Sequence, residues 1–92
     1  MDIDLKITYK SEALKNTRND RGITQAALSE ATGISLRTLQ HYEQGAKDIN
    51  AAKLSTILKI CIALQCEVGD IISDPETRAL LGRYERRNDS DQ

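Results

Sequence analysis

The chain is 92 residues long, 39% apolar and 29% charged, with 13 basic against 14 acidic side chains and a formal net charge of −1. That length suits one small domain with one modest core, since domains run roughly 50 to 250 residues. The charge balance excludes a globally basic nucleic-acid binder but leaves room for a locally basic face.

Residues 1 to 10 alternate, with Met1, Ile3, Leu5, Ile7 and Tyr9 set against Asp2, Asp4, Lys6, Thr8 and Lys10. Period two with β-branched residues predicts a half-buried strand, and the alternative is an N-terminal arm. From Ser11 onward the pattern turns helical. Ser11 is placed to cap a helix reaching about Arg21, which Gly22 ends. Thr24 caps a short helix from Gln25 to Thr32 that Gly33 stops, and Ser35 caps another from Leu36 to about Gln44 that Gly45 stops. Two helices of eight to nine residues are thus joined through Gly33-Ile34-Ser35, a turn of about three residues.

Asn50 is placed to cap a longer helix from Ala51 to about Gln65, whose residues Leu54, Ile57, Leu58, Cys61 and Leu64 make one apolar stripe. Ile62 lies off that stripe, about 100° round from Cys61. A helical turn from Val68 to Ser73 follows, and then Asp74-Pro75, an N-cap with proline at the first helical position. The last helix runs to about Arg87, with Leu80, Leu81 and Tyr84 on one side and Arg83, Arg86 and Arg87 at its C-terminal dipole end. Residues 88 to 92 are polar and read as a disordered tail.

Chemistry has little to stand on. The glycines at 22, 33, 45, 69 and 82 punctuate helices and form no phosphate loop. Cys61 and Cys66 are too few for a disulfide framework, and Zn²⁺ takes about four ligands where the chain offers one distant histidine, His41. Both read as small core residues. No serine or cysteine nucleophile has a base and an orienting partner, so no enzyme is expected and no cofactor. No apolar run approaches the ~18 residues of a membrane span, and MDIDLKITYK lacks the order of a signal peptide. A soluble, cytoplasmic protein is the expectation.

The segment from Thr24 to Gly45 carries the functional signal. Leu28 and Ala31 on its first helix, with Ile34, Leu39 and Tyr42, can pack as one inner face. Leu36, Arg37, Gln40, His41 and Gln44 are left on the outer face of the second helix. The B-DNA major groove admits one α-helix, and Arg and Gln are the side chains that read guanine and adenine bidentately.

Arg18, Thr24-Gln25, Leu28, Gly33-Ile34-Ser35, Leu39, Glu43 and Gly45, followed by LSTILKICIALQCEVGDII, make the chain similar to the phage-repressor-like helix-turn-helix family of Cro/Xre type. The resemblance covers about residues 12 to 73. It implies an all-α, five-helix lambda-repressor-like DNA-binding domain over residues 11 to 73, with an extra C-terminal helix over 74 to 87. It also implies roles. Leu36, Arg37, Gln40 and His41 would face base edges; Thr24, Gln25, Ser35, Thr38, Gln44 and Lys47 would lie along the phosphate backbone. Glu43 would pair with Arg18, because a carboxylate cannot face phosphates. Ordinary solvated charge is the other reading of Arg37 and Lys47, a surface histidine that of His41, and packing back onto the helix that of Leu36. Ser29 stands where the family usually has Ala, and Thr17 where an aliphatic residue is usual, which loosens the first helix.

The function implied is a sequence-specific DNA-binding transcriptional regulator, a repressor acting as a homodimer on an inverted-repeat operator in double-stranded DNA. Ile62, Ile71, Ile72, Leu80, Leu81 and Tyr84 are a surplus of apolar residues and the candidates for the dimer interface. The alternative is an antitoxin or interaction module of the same fold that neutralises a partner protein through the N-terminal strand or the C-terminal helix.

Overall fold

Short polar side chains start the two central helices, and left-handed glycines stop them. In the computed structural model, which describes Tyr9 and residues 11–87, the Thr24 hydroxyl oxygen accepts from the Ala27 N–H at 3.0 Å and opens α2, Gln25–Thr32. The Ser35 hydroxyl oxygen accepts from the Thr38 N–H at 3.1 Å and opens α3, Leu36–Gln44. Gly33 and Gly45 end these helices at φ 76° and φ 83°, a backbone region that a Cβ disfavours. Ahead of them, α1 spans Ala13–Asp20. Glu12 rather than Ser11 occupies its cap position, and the Ser11 hydroxyl instead accepts from the Ala13 N–H at 3.3 Å.

The chain after α3 departs from expectation. A 3₁₀ turn, Ile49–Ala51, comes first, and α4 begins only at Leu54 and runs to Leu64. Asn50 therefore caps no helix, because its side chain serves a distant segment. Its carbonyl oxygen accepts from the backbone N–H groups of Ser73 at 2.9 Å and Asp74 at 3.1 Å. Its amide donates to Asp48 at 3.0 Å. α5 is the single turn Val68–Ile71, and α6 spans Pro75–Arg86, capped by Asp74 through the Thr77 N–H at 3.0 Å. The Thr77 hydroxyl and N–H together hold the Asp74 carboxyl below its ordinary range. Asn50→Ala would strand two backbone donors, exposed at Ser73 and partly buried at Asp74, an expected loss of about 1 kcal/mol. Faster hydrogen exchange at Ser73 and Asp74 than elsewhere in α5 and α6 would show it.

Leu14, Leu28, Leu39, Ile49, Ile57, Ile60, Cys61, Leu64, Ile71 and Ile72 form the core. α4 packs on α2, α5 on α1 and α4, and α2 on α3. Three expectations are corrected here. Ile60 is in the core, while Leu54 and Leu58 are 66% and 43% exposed. Ile71 and Ile72, candidates for a dimer interface, are 0% and 2% exposed, because α5 wedges between α1 and α4 and turns both inward. Ala31, expected on the inner face, is exposed. Leu81 is half-buried over Gly69, whereas Ile62, Leu80 and Tyr84 are exposed as anticipated.

The result is an all-α domain of five helices with α6 added, and no strand occurs among the described residues. The expected N-terminal strand and the tail 88–92 lie outside those residues, apart from Tyr9, whose N–H donates to the Gly45 carbonyl at 2.9 Å. No helix of the described residues is long and apolar enough to cross a membrane. Cys61 and Cys66 are free thiols. Burial, with the adjoining Cys66, pushes the Cys61 thiol up to about 12, which leaves it protonated and inert at neutral pH.

Candidate nucleic-acid interface

Leu39, fully buried, fixes the roll of α3 about its axis, with Tyr42 half-buried on the same inner side. At about 100° per residue, Leu36, Arg37, Gln40, His41 and Gln44 then fall within an outer arc of about 140°. Leu36, Arg37 and Gln44 are exposed, and Gln40 and His41 half-exposed. Beyond the helix, the His41 carbonyl accepts from the N–H groups of Ala46 at 2.9 Å and Lys47 at 3.1 Å. Those two bonds hold Lys47, itself exposed, just past the end of the row.

The second set of candidates gathers at two helix starts. Thr24 and Ser35 use their oxygens to cap, but as hydroxyls each still has a proton to give. Ser35 gives its proton to the Thr38 hydroxyl at 2.8 Å, and Thr38 keeps its own. Gln25 is tied inward, its amide donating to Glu43 Oε1 at 3.0 Å. One of its two amide protons remains available outward, as do the unpaired N–H groups of the first turn of α2.

Arg18 and Glu43 hold the two halves together. Arg18 Nε donates to Glu43 Oε2 at 2.7 Å and Nη2 to Oε1 at 2.9 Å, a bidentate fork, and Nη1 donates to the Ile23 carbonyl at 2.8 Å. Their side chains are 11% and 4% exposed. The hydrogen bond and charge of Glu43 raise the Arg18 pKa further. This pair joins α1 to the last turn of α3, neutralises the one acid of α3, and through Gln25 draws the start of α2 into the same network.

Two residues that depart from the family pattern turn out to be fasteners. The Ser29 hydroxyl donates to the Ile34 carbonyl at 2.6 Å across the turn between α2 and α3. Thr32 braces the same turn, donating to the Leu28 carbonyl at 2.7 Å and accepting from the Ile34 N–H at 3.2 Å. The Thr17 hydroxyl donates to the Asp70 carbonyl at 3.3 Å, so it ties α1 to α5 where loosening was expected. Small hydroxyl residues within one turn of a helix end were the available signal. Among the described residues, no group of three or more His, Cys, Asp or Glu side chains is arranged to hold a metal ion.

Comparison with known proteins agrees with this geometry. Residues 13–76 match the Cro/C1-type HTH DNA-binding domain. The chain is 37% identical over 68 residues to the uncharacterized HTH-type transcriptional regulator YozG of Bacillus subtilis (strain 168), a match spanning 71% of this chain and 79% of that protein. The crystal structure of the clp gene regulator ClgR from C. glutamicum is similar at a TM-score of 0.58 and 29% identity, covering 75% of this chain and 86% of that one. Capped helix pair, buried Arg–Glu fork and matched segment coincide, and the chain belongs to the Cro/C1-type helix-turn-helix DNA-binding family.

Proposed function

We propose that the protein is a sequence-specific transcriptional regulator that lays α3 in the major groove of double-stranded DNA, binds an inverted repeat as a homodimer, and represses by occupying it. One observation carries this reading. Among the described residues, the side chains of Arg37, Gln40, His41, Gln44 and Lys47 are bound to no other group, although the polar side chains around them are engaged in caps and ties. A row of long donors, uncommitted on a rigidly held helix, is what base-edge readout needs. Arg37, Gln40 and His41, with Leu36 against a thymine methyl, are assigned to bases. Thr24, Gln25, Ser35, Thr38, Gln44 and Lys47 are assigned to phosphates, Ser35 through the Thr38 hydroxyl to which it donates. With Glu43 neutralised, the docking face is mildly positive, so affinity per subunit is modest and salt-sensitive. Two subunits on half-sites about one helical turn apart supply the rest. No cofactor is required.

A second reading, an antitoxin-like module that neutralises a partner protein, draws on α6, which buries none of its residues and exposes Leu80 at 53% and Tyr84 at 61%. Such a module could read DNA as well.

The two classes of contact separate by mutation. Arg37→Ala is expected to weaken the preferred site by about 1–3 kcal/mol and relax the preference at one base pair. Lys47→Ala should weaken all sequences alike and lower the salt slope by about one. Fluorescence anisotropy on the preferred and a scrambled duplex across a salt series measures both. Uniform weakening by Arg37→Ala would remove it from the reading set.

A further inference from the structure

Helix α4 carries two apolar faces, and the fold uses only one. Ile57, Ile60, Cys61 and Leu64 enter the core, whereas Leu54, Leu58 and Ile62 stand 66%, 43% and 77% exposed. Spaced four apart, these three advance about 40° per step and form a continuous stripe along the outside of the helix. Ala31, Thr32, Lys59 and Ala63 line an open groove beside Ile62. Ala31 and Thr32 close the end of α2 remote from Gln25, so the groove lies away from the residues assigned to phosphates there.

We infer that this stripe is a two-fold interface with a second copy of the chain, α4 packing antiparallel on α4. The inference rests on the homodimer proposed above and assigns the face that makes it. Three features of the stripe fit it to itself. Leu54 and Ile62 are equidistant from Leu58, so a two-fold axis through Leu58 sets Leu54 of one copy on Ile62 of the other and Leu58 on Leu58. Charge agrees with that direction. Exposed Lys53 occupies the N-cap position of the helix, Lys59 lies at its middle beside the axis, and exposed Glu67 and Asp70 follow its C-terminus. Antiparallel pairing brings the basic end of one copy to the acidic end of the other and opposes the helix dipoles; parallel pairing would set like on like.

The three side chains alone cover less than a standard interface. They make a patch in the range of roughly 300–600 Å² that is the largest on a typical monomer and often functional. A standard interface takes about 800 Å² per partner, and the groove beside Ile62 supplies further contact surface toward that figure. The other exposed apolar pair, Leu80 and Tyr84, is less suited. It shares α6 with Arg83, Arg86 and Arg87, and the Arg87 guanidinium stacks 3.9 Å from the Tyr84 ring centroid, so covering it would desolvate guanidinium charge.

Sedimentation equilibrium of the full chain at tens of micromolar tests the assignment. The wild type is expected to be a dimer. Leu58→Glu and Ile62→Glu should each raise its dissociation constant at least about 30-fold with helical circular dichroism unchanged. Ile62→Glu, on a side chain 77% exposed, makes the test with least demand on the fold. Mixing Leu58→Glu with Leu58→Lys should restore association, since the two side chains meet across the axis. Leu80→Glu should leave the dimer intact. A dimer that survives both α4 substitutions, or one lost on Leu80→Glu alone, would overturn the α4 interface and leave the dimeric regulator standing. A wild type monomeric both free and on DNA would remove the interface and the homodimer together, with base readout by α3 still judged by the Arg37 and Lys47 titrations.

Discussion

Arg18→Met should lower the free energy of unfolding by about 3–5 kcal/mol, toward the lower end, and weaken DNA binding at the same time. The magnitude follows from burial. With the Arg18 and Glu43 side chains 11% and 4% exposed, removing the arginine leaves a carboxylate almost out of water. Gln25 still donates one hydrogen bond to it, which softens the loss, while the Ile23 carbonyl loses the Nη1 donor. Binding suffers because the unneutralised Glu43 sits one residue from Gln44, beside the proposed phosphate contacts. Arg18→Met with Glu43→Gln should recover part of both losses, since no lone charge remains and the introduced amide oxygen can still accept from Gln25. Recovery stays partial because the Ile23 carbonyl is not restored. Urea unfolding of the four proteins in the cycle gives the coupling energy, expected at about 1–3 kcal/mol. Strict additivity would mean that the fork contributes nothing as a pair.

Leu39→Ala is the second large effect, an expected loss of about 2–5 kcal/mol. Leu39 is 0% exposed and is the buried residue of α3, so the cavity opens beneath the helix that presents Arg37 and Gln40. Small domains hold about 5–15 kcal/mol in all, so the variant would be near the limit of folding. The urea midpoint should fall with its slope unchanged. Leu80→Ala, at 53% exposure and outside the inferred interface, is the control and should stay within about 0.5 kcal/mol of wild type.

Local chemistry was legible in the sequence, and long-range partnership was not. Thr24, Ser35 and Asp74 cap as expected because a cap is decided by a side chain and an N–H three residues on. Asn50 has the same cap chemistry, yet its partners are Ser73 and Asp74, more than twenty residues away. On α4, two stripes obey the same three-to-four spacing and share Ile57, Cys61 and Leu64. Periodicity cannot choose between Leu54 with Leu58 and Ile60. The choice was made by the 3₁₀ turn, which delays the helix start, and by where α2 and α5 pack. Ile71 and Ile72 were misplaced for the same reason, since one turn of helix is too short for a pattern to show its inner side. In the candidate site, the outer row of α3 and the Arg18–Glu43 fork stand where the family resemblance implied. The link from Gln25 to Glu43 was missed, because an amide gives no charge signal to pair.

Selection of bound sequences from a random duplex pool by the wild-type chain tests the central claim, that α3 reads base edges. The account predicts enrichment of an inverted repeat with half-sites about one helical turn apart, and loss of one specified base pair in each half when the selection is repeated with Arg37→Ala. Retention of DNA without enrichment of any sequence, at low as well as physiological salt, would contradict it.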